Sequence, residues 1–122
     1  MSKKSILIVD DSASVRQVVG ISLKQAGYDV IEGYDGKDAL TKLTGQKIHL
    51  IISDVNMPNM DGITMVKTLK QMPAYKFTPI VMLTTESQEA KKKEGQEAGA
   101  KAWMVKPFSA PQLLSVVQKL VP

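Results

Sequence analysis

With 122 residues, 43% of them apolar and 23% charged, the chain is long enough for one globular domain with its own core and needs no covalent staples. The absence of cysteine excludes disulfides and thiolate metal sites, and the single histidine, His49, excludes a multi-histidine zinc site and argues against a Ser-His-Asp triad. Sixteen lysines and arginines against twelve acids leave a charge of +4, but only Arg16 is an arginine, the lysines are scattered and aromatics are 5% of the chain, so nucleic acid is not an expected partner.

The first residues, Met1-Ser2-Lys3-Lys4-Ser5, lead into only four strongly apolar residues, Ile6-Leu7-Ile8-Val9, before Asp10. That run is too short for a secretory signal, and no later run approaches the ~18 residues of a membrane span. A cytoplasmic protein with no membrane partner is expected. The same four residues read as a first strand. Val15, Val18, Val19, Ser22, Leu23 and Ala26 then fall on one stripe at helical spacing, with Ser14 and Gln17 able to form a capping box and Gly27 a ready stop. A second apolar run covers 28–31, interrupted by Asp29. A short helix over 38–43 carries Ala39, Leu40 and Leu43 and ends at Gly45. The third run is Leu50-Ile51-Ile52, and a helix over 62–71 follows with Met65, Val66 and Leu69 inward, ending before Pro73. The fourth run is Ile80-Val81-Met82-Leu83. The segment 88–98 is the weakest helix, with Lys91-Lys92-Lys93, an interior Gly95 and few apolar residues beyond Ala90 and Ala98. The fifth run is Ala102-Trp103-Met104-Val105. Ser109 can cap a final helix that has Pro111 in its first turn and Leu113, Val116, Val117 and Leu120 inward.

Near-continuous rather than alternating apolarity suits strands buried on both faces, and strands alternating with helices imply right-handed βαβ units. The expected fold class is α/β, a doubly wound parallel sheet of five strands and five helices that uses the whole chain. In such sheets ligands bind beyond the carboxyl ends of the strands. Asp10 and Asp11 follow the first run, Asp54 the third, Thr84 the fourth and Lys106 the fifth; the second ends in Glu32-Gly33, with no clear chemistry. Two carboxylates ~5 Å apart repel by roughly 3 kcal/mol at an effective dielectric of about 20. A hard divalent cation with oxygen ligands relieves this, and Mg²⁺ suits few protein ligands with open water positions. Lys106 adds a point charge and Thr84 a hydroxyl donor. Carboxylate, divalent ion, lysine and hydroxyl are together what phosphoryl transfer to an aspartate requires. Each piece alone has an ordinary reading as a cap, a solvated acid or turn chemistry; their conjunction at strand ends points to a site.

Asp10-Asp11, Asp54 within Ser53-Asp54-Val55-Asn56-Met57-Pro58-Asn59-Met60-Asp61-Gly62, Thr84, and Lys106-Pro107-Phe108 resemble the full signature of a response-regulator receiver domain, and the whole chain resembles the single-domain, CheY-like chemotaxis regulators. The resemblance implies a flavodoxin-like (βα)5 sheet of strand order 2-1-3-4-5, and one receiver domain over 1–122 with no output domain. It implies that Asp54 is the phosphoacceptor, that Asp11 and Asp54 bind Mg²⁺ directly with the Asn56 carbonyl, and that Asp10 acts partly through a metal-bound water. Lys106 would bind the phosphoryl group and Thr84 would be the switch hydroxyl. Thr85, Glu86, Met57 and Pro107 would flank the site. Asn56 and Glu86 would influence how fast water removes the phosphoryl group, while Met57-Pro58 and Gly62 can shape a tight turn beside the acceptor. Thr85 stands where the family usually has Ala or Gly, and reads either as crowding the pocket or as an ordinary turn threonine. Trp103 stands where motor-binding members usually have a switch tyrosine. It reads either as an aromatic packing on the last helix or as a switch presenting a different surface.

The partners implied are a CheA-like histidine kinase as donor and a phosphatase. The output protein, the flagellar motor switch or another target, would dock on the face of the fourth helix, fifth strand and fifth helix, where Lys91, Lys92, Lys93 and Lys119 are basic. A monomer is expected, with no enzymatic turnover beyond its own phosphorylation and dephosphorylation. A phosphate sink that drains a shared kinase without an output is the alternative. A flavin-binding flavodoxin is disfavoured because Asp10-Asp11-Ser12 repels the FMN phosphate. A haloacid dehalogenase needs Asp-x-Asp where this chain has Asp-Asp-Ser.

Overall fold

Each apolar run becomes a strand, and each segment of helical period a helix. In the computed structural model, which describes residues 4–43, 47–55, 60–84, 89–106 and 108–121 and gives the backbone alone at 89–92 and 95, the order is β1 (Ser5–Val9), α1 (Ala13–Gln25), β2 (Asp29–Gly33), α2 (Gly36–Lys42), β3 (Leu50–Asp54), α3 (Gly62–Lys70), β4 (Ile80–Thr84), α4 (Glu89–Ala98), β5 (Ala102–Val105) and α5 (Ala110–Leu120). All strand pairs are parallel, in the order β2-β1-β3-β4-β5, which is the flavodoxin-like arrangement expected. The one interrupted run, β2, lies at an edge. β3 and β4 are buried along their whole length, whereas the edge strands β2 and β5 have exposed positions. The charges of Asp29 and Glu32 thus fall on an edge, where water reaches them. No described helix is long and apolar enough to cross a membrane.

Alternation along the strands divides the core in two. Leu7, Val9, Ile51, Ile80 and Met82 face Ala39, Met65, Val66 and Leu69 of α2 and α3. Ile6, Ile8, Leu50, Ile52, Val81 and Leu83 face Val19, Leu23, Leu113 and Val117 of α1 and α5. The second layer corrects one expectation. Val15, Val19 and Leu23 turn inward at four-residue spacing, but Val18 is 63% exposed, because it sits about 100° around the helix from Val19.

The start of α1 is also corrected. Ser12, not Ser14, is the cap: its Oγ accepts from the Val15 N–H at 3.3 Å. Ser12 N–H in turn donates to Asp10 Oδ1 at 2.9 Å, so the turn is set immediately after the acidic pair. Gly27, at φ 98°, closes the helix as expected. α2 begins at Gly36, two residues before the expected start, because Asp35 Oδ1 accepts from Asp38 N–H at 2.7 Å; the stop expected at Gly45 lies outside the described residues. Asp61 caps α3, and the Ser109–Gln112 capping box starts α5.

Candidate functional site

The carboxyl ends of β1 and β3 lie side by side, so the residues that follow them share one pocket. Asp10 is fully buried and each of its polar groups has a partner. Its N–H donates to the Gly33 carbonyl at 3.1 Å. Its own carbonyl accepts from Arg16 Nη1. Its Oδ1 accepts from Ser12 N–H at 2.9 Å and its Oδ2 from Lys106 Nζ at 3.0 Å. Asp54 closes β3, 8% exposed, with Oδ2 at 3.4 Å from the same Lys106 Nζ. Asp11, one residue beyond Asp10, is exposed. One oxygen from each of Asp10, Asp11 and Asp54 lies within 4.8 Å of the others.

This crowding shows in the titration of the site. Burial, then the charge of Asp10, raise the Asp54 pKa above the usual carboxylate range, and Lys106 only partly opposes them. Burial on its own would lower the Lys106 pKa, but its bonds to Asp10 and Asp54 outweigh that and hold it above the usual lysine range. The pocket therefore keeps its ammonium charged and still has more carboxylate than that ammonium can balance. A set of oxygen donors with an exposed member and surplus negative charge fits a hard divalent cation. Asp11 and Asp54 have the freer oxygens, because both Asp10 oxygens are already engaged.

The helix that follows the site is pressed against it. Gly62 N–H donates to the Val55 carbonyl at 2.9 Å. A Cβ at Gly62 would lie 2.2 Å from the Asp54 carbonyl oxygen and 2.8 Å from Met82 Cε. Only glycine lets α3 start this close to the Asp54 backbone. Thr84 ends β4, 3% exposed, and its carbonyl accepts the Lys106 N–H at 2.6 Å. Trp103 pairs in register with Met82, so alternation puts it on the same sheet face as Thr84, two residues on. It packs on the α2–α3 cluster, while Ala102 takes the α1–α5 side. This corrects the reading of Trp103 as packing on the last helix. Its indole Nε1 is buried and has no hydrogen-bond partner among the described residues.

Asp10, Asp11, Asp54, Thr84 and Lys106 are thus brought to one end of the sheet. Asn56, Met57, Thr85, Glu86 and Pro107 lie outside the described residues, as do the side chains of Lys91 and Lys92. The reading of Glu32 as without chemistry is corrected: it pairs with Arg16, Nε to Oε1 at 3.3 Å. Arg16 and Glu32 were missed because the expected strand order sets β2 beside β1 without saying which side chain of α1 reaches which residue of β2. The one available signal was the single arginine, a turn after the Ser12 cap.

The response regulator receiver domain family matches residues 6–118. The chain is 40% identical over 118 residues to the alkaline phosphatase synthesis transcriptional regulatory protein PhoP of Bacillus subtilis, covering 97% of this chain and 48% of that protein, so it spans about half the length of that relative. It is 34% identical to protein PilG of Pseudomonas aeruginosa, covering 96% of this chain and 87% of PilG. Its fold superposes on the Vibrio cholerae chemotaxis protein CheY4 with a TM-score of 0.93 at 47% identity, covering 98% of this chain and all of that one. With the acidic pocket, the lysine and the strand order all in place, the chain belongs to the response regulator receiver domains of two-component signalling.

Proposed function

We propose that the chain is a phosphorylation-dependent switch of a chemotaxis-type two-component system, taking a phosphoryl group from a histidine kinase onto Asp54. The observation that carries this reading is the convergence of the Asp10, Asp11 and Asp54 oxygens within 4.8 Å beside the Lys106 ammonium. In the transfer, an Asp54 carboxylate oxygen attacks phosphorus. An O–P bond forms as the P–N bond of the phosphohistidine breaks, and its electron pair stays on the imidazole nitrogen. Asp11 and Asp54 would hold Mg²⁺, with the Asn56 carbonyl and a water on Asp10 as the further donors that the family resemblance implies, and the ion would neutralise charge on the phosphoryl oxygens. Lys106 pairs with a phosphoryl oxygen, and the Thr84 hydroxyl donates to another. Hydrolysis of the acyl phosphate resets the protein, and the family resemblance gives Asn56, Met57, Thr85, Glu86 and Pro107 as the residues that would flank the site. The chemistry is confined to the protein's own aspartate, so it is a switch rather than an enzyme for a separate substrate.

The output leaves through the face of α4, β5 and α5. There an open groove of about 640 Å³ runs past Trp103, Val105, Phe108 and Pro111, and Lys93 of α4 and Lys119 of α5 are exposed. Likeness to CheY4 supports a chemotaxis role, with the flagellar motor switch or a comparable target as output; a cytoplasmic monomer goes with this role. The test is intact mass after incubation with acetyl phosphate and MgCl₂. Wild type gains one phosphoryl group, and Asp54→Asn, which keeps the shape but loses the nucleophile, gains none. Equal labelling of both proteins rejects Asp54 as acceptor.

A further inference from the structure

The carbonyl of Asp10 lies beyond the ladder that β1 makes with β3, whose last register pair is Val9 with Ser53. Asp10 is fully buried, and a buried carbonyl needs a donor. Arg16, one turn into α1, donates Nη1 to it. The Nε of the same guanidinium lies 3.3 Å from Glu32 Oε1 on β2, with the Arg16 side chain 17% exposed. A planar fork held at two of its edges has its plane fixed, which a lysine ammonium cannot reproduce.

The peptide that carries the Asp10 carbonyl also carries the N and Cα of Asp11, because all six atoms of the unit lie in one plane. Fixing that oxygen therefore fixes where Asp11 leaves the strand. The Ser12 N–H bond to Asp10 Oδ1 closes the turn on the far side of Asp11, and Arg16 holds the peptide on the near side; Asp11 itself is exposed. We infer that Arg16, steadied by Glu32, is a positioning residue for the metal site, orienting the Asp10–Asp11 peptide so that the Asp11 carboxylate meets that of Asp54. This rests on the reading of the pocket as a Mg²⁺ site.

Two physical roles for Arg16 predict opposite signs. If it acted only through its charge, Arg16→Ala would tighten Mg²⁺ binding by removing a nearby cation, and Arg16→Lys would leave it unchanged. As a positioning residue it must weaken binding when removed, and lysine must not rescue it. Outer-shell partners of metal ligands are worth about 10- to 100-fold in affinity.

The experiment is isothermal titration of the folded proteins with MgCl₂ at constant ionic strength, with circular dichroism as the check on folding. The dissociation constant is expected to rise about tenfold or more in Arg16→Ala, and to rise in Arg16→Lys as well. If Arg16→Ala does not fold, Arg16→Lys decides. Wild-type affinity or tighter in the folded variants, even with a lower melting temperature, overturns the inference alone. A wild type that gives no Mg²⁺ binding overturns the metal reading and the inference with it.

Discussion

Gly62 shows how little room one residue can have. A Cβ there would sit 2.2 Å from the backbone oxygen of Asp54, far inside contact distance, and 2.8 Å from Met82 Cε. The methionine can move aside; the strand carbonyl cannot without moving Asp54. Gly62→Ala is therefore expected to cost about 1–3 kcal/mol, and to slow phosphorylation of Asp54 beyond what lost stability accounts for. Gly20, inside α1, is the control. Its added Cβ meets nothing closer than Val30 at 3.8 Å, so Gly20→Ala should hold or raise the melting temperature, by up to about 1 kcal/mol of helix propensity. Thermal melts of the two variants, with initial rates of acetyl phosphate labelling, check both. Equal melting temperatures and equal rates would show that α3 can back away from the site. The two glycines look alike in the sequence; only the approach of α3 to β3 separates them.

At the scale of elements, β4 and β5 bring the two proposed switch residues together. Thr84 and Trp103 share a face of neighbouring strands, and the buried indole N–H has no acceptor among the described residues. An unmet buried donor costs about 1–3 kcal/mol, the range in which two arrangements of a switch are usefully balanced. A beryllofluoride phosphoryl mimic is expected to change the emission of Trp103, the only tryptophan, and to change it much less in Thr84→Ala. An unchanged wild-type spectrum would mark Trp103 as core alone. The strands themselves were legible, because three- and four-residue apolar runs bounded by turn formers or charges have few other readings, and the Ser109 cap followed by Pro111 is a local signal that nothing nearby opposes. The start of α1 was not legible, because Ser12 and Ser14 both suit a cap and the choice is made by the Asp10 carboxylate turning back onto Ser12 N–H. The layer occupied by Trp103 depends on its register with Met82, and the Arg16–Glu32 pair on how α1 lies over β2. Both are facts of packing that no local pattern carries.

For the whole molecule, three carboxylates drawn from two strands form a site only when the chain is folded, so a cation that binds there stabilises the fold by linkage. At 100 times its dissociation constant Mg²⁺ should add about 2.7 kcal/mol, or roughly 10 °C in melting temperature for a domain of this size. Asp11→Ala should lose most of that gain while folding normally, since Asp11 is exposed. Differential scanning calorimetry with and without MgCl₂ measures it; an equal Mg²⁺ shift in the variant would remove Asp11 from the ligand set. Lys106 gives the molecule a further property. Its ammonium spans Asp10 and Asp54, and its N–H is tied to the Thr84 carbonyl, so the ends of β1, β3, β4 and β5 all bear on one residue. In mechanical terms it is a keystone. Any change in charge at Asp54 alters the load on a stone that four strands share, and an arch loaded at its crown pushes outward on every flank.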